Sequence, residues 1–186
     1  MPESWTPAAR RILAAAEELF YERGITAVGV DLIAERSGVT KRTLYNRFGS
    51  KDQLVAAYLA GRDERWRELV RGAVDAADGP VEAVVAPFVA LRTWSGSGAR
   101  GCAFINALAE LPDLDHPAHR IAAAEKFWLR DLFAELAAAA GCAHPTELGT
   151  RLLLLHEGAV ATRPLPLDTI AEAADLAREL VRADAS

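Results

Sequence analysis

The sequence predicts an all-α protein, with an N-terminal three-helix head that carries a helix-turn-helix joined to a larger helical body. Three observations lead there. Apolar residues recur at spacings of three and four along almost the whole chain, and the alternation of half-buried strands is nearly absent. Proline, glycine and hydroxyl residues sit where those periodic stretches begin and end. Two short helical stretches flank one glycine turn at Gly38, which is helix-turn-helix spacing.

The elements follow in order. A first helix from about Pro7 to Arg23 carries Ile12, Ala16, Leu19 and Phe20 on one stripe, with Thr6 as N-cap, Pro7 in the first turn and Gly24 as the stop. A second, about Val30 to Arg36, ends at the Gly38 turn. Thr40 then caps a third, about Thr40 to Arg47, and after "FGS" Lys51 opens a long fourth. Further on, "VEAVVAPFVALRTW" reads as a helix disturbed at Pro87, "GCAFINALAEL" as a shorter one, and "PAHRIAAAEKFWLRDLFAELAAAAG" as a long one ending at Gly141. "PTELGTRLLLLHEGAVA" and "DTIAEAADLARELVRA" close the chain, separated by the breaker "TRPLPLD". The expected division is 1–50 for the head and 51–186 for the body.

Composition excludes several classes. With 51% hydrophobic and 25% charged residues the chain is that of a globular protein, and no apolar run approaches the roughly 18 residues of a membrane span. No secretory leader pattern is visible in "MPESWTPAARRIL", so a cytoplasmic protein is expected. Cys102 and Cys142 are too few for a disulfide framework and read as small buried hydrophobes.

The net charge of −5 hides a division along the chain. Residues 1–60 carry eight Lys/Arg against seven Asp/Glu, whereas 61–186 carry thirteen against nineteen. Within 36–51 there are five basic residues and no acid, a local patch suited to a polyanion on a protein that otherwise repels one. Its spacing gives it a use. With Leu44 and Phe48 placed in the core, a step of 100° per residue turns Arg42 and Asn46 outward, flanked by Thr43 and Tyr45, with Lys41 further round. A guanidinium forks onto guanine and an amide onto adenine, while hydroxyls and ammonium groups hold phosphates. Thr40, Lys41, Arg42, Thr43, Tyr45, Asn46 and Lys51 are therefore the candidate DNA contacts. Arg36 and Arg47 read equally as solvated charges or phosphate contacts.

The stretch "GITAVGVDLIAERSGVTKRTLYNRFGSKDQL" also resembles the DNA-binding head of the tetracycline-repressor (TetR) family. The shared pattern lies at Ile33, Ala34, Gly38, Val39, Thr43, Leu44, Tyr45, Phe48, Lys51 and Leu54, within about residues 7 to 55. The resemblance implies a homodimeric one-component regulator with an all-α ligand-binding body. Two departures stand out: Val28 and Gly29 occupy positions where many members open the second helix with Thr or Ser, and Arg42 stands where a small residue is common.

The body lacks an evident catalytic set but is rich in aromatics. Phe88, Trp94, Phe104, Phe127 and Trp128, with Asn106, Glu110 and His156 as polar groups on apolar helices, are the candidate lining of a site for a small, largely apolar effector. Each reads alternatively as a satisfied core or surface residue. The last helix carries two apolar stripes, Ile170–Ala174–Ala177–Val181 and Leu176–Leu180, which need two partners, one of them a second copy across a two-fold axis.

Two signals are set aside. "GSGARG" at Gly96–Gly101 satisfies the dinucleotide-binding spacing but follows a helix rather than a strand, and reads as a loop. His116 and His119 have a spacing a metal can use, so a small helical metal-dependent enzyme is the alternative; a cap at the start of the helix after Pro117 explains Asp115 or His116 better. The reading is a ligand-responsive DNA-binding regulator, a repressor, with no cofactor and no enzymatic activity.

Overall fold

A computed structural model describes residues 5–94 and 100–185. Nine α-helices are present among them: α1 (Pro7–Arg23), α2 (Val30–Ser37), α3 (Lys41–Phe48), α4 (Lys51–Asp75), α5 (Pro80–Thr93), α6 (Ala103–Glu110), α7 (Pro117–Ala139), α8 (Pro145–Thr162) and α9 (Thr169–Asp184). The loop expected at Gly96–Gly101 lies largely outside the described residues. The chain forms two compact units, one of Met1–Glu64 with Ala103–Ala124, the other of Arg65–Cys102 with Glu125–Ser186, so α4 and α7 each contribute to both.

In the first unit, α1, α2 and α3 pack mutually. Thr6 Oγ1 accepts the Ala9 N–H at 3.3 Å and Pro7 occupies the first turn, where its missing N–H costs nothing. The apolar stripe of α1 is buried as Ile12, Ala16, Leu19 and Phe20. Helix α2 starts at Gly29 without a side-chain cap and ends at Gly38, whose φ of 64° and ψ of 35° lie in the left-handed region. There the Gly38 and Val39 N–H groups close onto the Glu35 and Ala34 carbonyls, a geometry that reverses the chain at little cost only for glycine. Leu44 is fully buried, whereas Phe48 is half-buried and meets the Trp5 ring edge-on at 5.5 Å.

The core of the second unit gathers Val84, Val85 and Phe88 of α5, Leu129 and Phe133 of α7, Leu148 and Leu152 of α8, and Ala173, Ala177 and Val181 of α9. Helix α5 runs through Pro87, which is buried, so the disturbance expected there does not end it. Glu82 receives Arg178 from α9 through two nitrogens, Nε to Oε1 at 3.0 Å and Nη2 to Oε2 at 2.9 Å, a fork that ties α5 to α9. Helices α7 and α8 approach closely at Gly149, where a Cβ would stand 2.8 Å from the Arg130 carbonyl oxygen and 3.0 Å from the Ala134 Cβ.

Gly149→Ala is expected to destabilise by about 1–3 kcal/mol through overpacking against backbone. Gly72→Ala, in α4 with nothing within 4 Å of the added Cβ, is expected to stabilise by about 0.4–1 kcal/mol. Urea denaturation checks both, and the opposite order would contradict the close approach.

Candidate nucleic-acid interface

Thr40 starts α3 with an extended backbone, and its Oγ1 accepts the Thr43 N–H at 3.1 Å. With Leu44 buried, the opposite face carries Arg42 and Asn46, flanked by Tyr45, all three exposed. Arg42, Asn46 and Arg47 have no hydrogen-bond or ionic partner among the described residues, so nothing need be broken for them to meet an external group. Thr43 is half-buried and its hydroxyl shares a 2.9 Å hydrogen bond with that of Thr40. Lys41 lies at the edge of the face, 2.9 Å from Asp31 of α2. The hydrogen bond to Asp31, then its charge, raise the Lys41 pKa above the usual lysine value. Lys51 is half-buried at the first turn of α4, where Ser50 Oγ accepts the Gln53 N–H at 3.1 Å. Among the basic residues of this stretch, Arg36 is held by Glu18 at 2.5 Å.

Sequence reasoning missed three features of this surface: the Asp31–Lys41 pair, the Ser50 cap and the seat of Phe48 on Trp5. Asp31 and Lys41 are ten residues apart and meet only because α2 and α3 pack. Ser50 had a readable signal, a serine directly before a helix-opening lysine.

The candidate effector residues separate between the units. Phe104, Asn106 and Glu110 belong to the first unit, where Phe104 is buried and Glu110 Oε2 accepts the Thr26 N–H at 2.7 Å. Phe88, Trp94, Trp128 and His156 belong to the second. His156 is 2% exposed, its ring 5.5 Å from Phe88, 5.7 Å from Trp66 and 6.1 Å from Phe133. Trp66 also stands 5.2 Å from Trp94, and Arg67 lies over the Trp128 ring at 4.6 Å. Phe127 turns outward, 57% exposed beneath Arg130, away from this group. Its place in "EKFWLRDLF" is on the opposite side of α7 from Leu129 and Phe133.

Sequence reasoning missed the charged half of this cluster. Lys126 Nζ reaches Glu125 Oε2 at 2.7 Å and Glu157 Oε1 at 2.6 Å, and His156 Nδ1 stands 3.4 Å from the same Glu157 oxygen. Burial pushes the Glu157 carboxyl up, but the His156 hydrogen bond and the Lys126 charge outweigh it and hold the pKa at about 2. Burial likewise opposes the Lys126 charge, and Cys102, Glu125 and Glu157 reverse that, raising the lysine above its usual value. For His156, burial dominates and lowers the pKa, only partly offset by Glu157.

His116 and His119 have structural uses. His116 Nδ1 accepts the Ala118 N–H at 3.1 Å as the cap of α7, its Nε2 is 3.4 Å from Asp52 Oδ1, and His119 Nδ1 donates to the Leu111 carbonyl at 2.7 Å. Among the described residues no three His, Cys, Asp or Glu side chains are grouped to hold a metal ion.

An exposed helix bearing an outward guanidinium and amide, preceded by a glycine turn and a supporting helix, defines a helix-turn-helix DNA-binding protein. Residues 12–58 match the family described as bacterial regulatory proteins, tetR family. The crystal structure of a TetR-family transcriptional regulator from Streptomyces coelicolor superposes with a TM-score of 0.89 at 34% identity, over 96% of this chain and 97% of that one. Two curated relatives match through the head: the transcriptional activator FasR of Mycolicibacterium smegmatis, 49% identical over 49 residues, and a transcriptional repressor of Mycobacterium tuberculosis, 46% identical over 59. Those stretches cover 26% and 32% of this chain but only 22% and 31% of the relatives. The chain belongs to the TetR family: it is a DNA-binding transcriptional regulator and not an enzyme. No described helix is long and apolar enough to cross a membrane.

Arg42→Ala is expected to relax preference at one base position by about 1–3 kcal/mol, while Lys51→Ala weakens all sequences alike. Asp31→Asn, by releasing Lys41, is expected to tighten binding to any duplex, most at low salt. Competition binding across sequence variants separates the three, and identical profiles for the Arg42 and Lys51 variants would refute the assignment.

The cluster in the second unit also sets a pH dependence. Because the His156 pKa is below its ordinary 6.5 in the folded chain, the unfolded state takes up the proton first. Stability is therefore lost as pH falls below about 6.5, and a further loss from Glu157 follows between about 4.5 and about 2. His156→Leu should flatten the upper part of the curve in thermal melts between pH 7.5 and 5, and an unchanged slope would contradict it.

Proposed function

We propose that this chain is a homodimeric, effector-released repressor that binds a palindromic operator in the cytoplasm. The observation that carries the DNA reading is the outward, unengaged pair Arg42 and Asn46 opposite the buried Leu44. Repression asks only that a promoter site be occupied, whereas activation asks for an added polymerase-contacting surface. The relatives that share the head include both kinds.

The dimer is supported by the outer faces of α8 and α9. Leu154 is 69% exposed and Leu176 44%, and both line a groove of about 530 Å³ with Leu155, Gly158, Ala159 and Ala173. Ala173, Ala174, Ala177 and Val181 of α9 are already buried within the subunit and Leu180 packs against the same core, so the exposed Leu176 beside them is left for a second partner. Two copies joined there as a four-helix bundle supply the two-fold axis that a palindrome requires. An effector bound in the aromatic cluster around His156 shifts the population toward a state whose heads no longer match the operator, and α4, which has residues in both units, is the element proposed to carry that change.

Selection of bound duplexes from a random pool at physiological salt tests the reading, with a palindrome of two half-sites about one helical turn apart as the expected outcome. The affinity of the selected site should fall with a log–log salt slope of about −0.9 per phosphate neutralised. Absence of any enriched sequence, or a salt-independent affinity, would overturn it. Leu154→Glu is expected to give a monomer in sedimentation and to weaken operator binding at least tenfold; a dimer unaffected by that change would relocate the interface.

A further inference from the structure

In the cluster around His156 two buried acceptors have no hydrogen-bond partner among the described residues. Glu157, an anion, can only accept, so the hydrogen between it and His156 sits on Nδ1 of the imidazole. In the neutral ring Nε2 is then a lone pair. Nε2 and the second Glu157 oxygen, Oε2, are both buried, and neither has a hydrogen-bond partner among the described residues. Donors nearby are directed elsewhere: Nδ1 toward Glu157 Oε1, Lys126 Nζ toward Glu157 Oε1 and Glu125 Oε2, and Arg163 Nη2 toward the Leu91 carbonyl. Around the imidazole the walls are aromatic, Trp66, Phe88 and Phe133, with Trp94 behind Trp66. The demand left open is for a hydrogen-bond donor with an apolar body.

We propose that this aromatic-walled acceptor pair is the effector site, and that its ligand class is an apolar or aromatic molecule whose head, a hydroxyl or a protonated amine, donates a hydrogen bond to His156 Nε2. This rests on the reading of the chain as effector-responsive and narrows it. A ligand of equal shape without the donor leaves a buried acceptor unmet and is rejected for that reason. A protonated amine differs from a hydroxyl in adding charge, which the second Glu157 oxygen favours.

The test uses the full chain without DNA and three probes that share a propylbenzene body: 4-propylphenol, 4-propylanisole and 3-phenylpropylammonium, titrated by calorimetry at pH 8. The phenol or the ammonium is expected to bind about tenfold more tightly than the anisole, the value of one net hydrogen bond. His156→Leu should erase that preference, and His156→Gln, which keeps an acceptor, should retain it; circular dichroism establishes that each variant is folded. An ammonium bound above the phenol, with the gain lost in Glu157→Gln, assigns a cationic head, and the reverse order assigns a neutral one. Equal affinity for phenol and anisole, an undiminished preference in His156→Leu, or no binding of all three probes at millimolar concentration overturns the proposal. Because no operator enters the measurement, failure here leaves the DNA-binding reading standing, and failure of the operator selection leaves this one intact.

Discussion

The burial of Leu44 is the constraint on which the DNA-facing surface depends. Helix α3 has only eight residues, and Leu44 is the one that is fully buried, so a single apolar anchor sets its rotation. Once Leu44 faces inward, the helical step of 100° puts Arg42 and Asn46 on the far side together. Thr40 and Gly38 serve the same end, the first by capping the start of α3 and the second by a left-handed turn that lets α2 and α3 pack at an angle. The Trp5 ring against Phe48 then braces the end of α3 that Leu44 does not reach.

The charges around this face are arranged by cost. Arg42, Asn46 and Arg47 have no partner among the described residues, whereas Lys41 is lent to Asp31 and Arg36 to Glu18. Exposed pairs of this kind are weak and screened by salt, so they orient a side chain without withholding it from a phosphate. Helix α2 opens at Gly29 with no side-chain cap, which leaves its first N–H groups uncommitted as well.

The second unit follows the opposite logic. Around His156 the charges are taken out of water and tied to one another, Glu125 to Lys126 to Glu157 to His156, beside Trp and Phe rings. Removing such groups from water is costly unless each finds a partner, and His156 Nε2 and Glu157 Oε2 have none among the described residues. A polar network of this kind does more than fill volume, since a packed aliphatic set would occupy the same space without unmet acceptors.

The nine helices, their caps at Thr6, Thr40 and His116, and the stops at Gly24 and Gly38 were readable from the chain alone, because helix periodicity, proline, glycine and hydroxyl caps act within one turn of where they stand. The outward direction of Arg42 and Asn46 was readable for the same reason, being a local consequence of one buried leucine. What only the tertiary structure decided were contacts between residues distant in sequence. Asp31 reached Lys41, Lys126 reached Glu157 across 31 positions, Trp66 reached His156, and Phe127, one residue before Trp128, turned to solvent. Sequence periodicity tells which face of a helix is apolar, but which helix it meets, and which charge lies opposite, depends on how the helices pack.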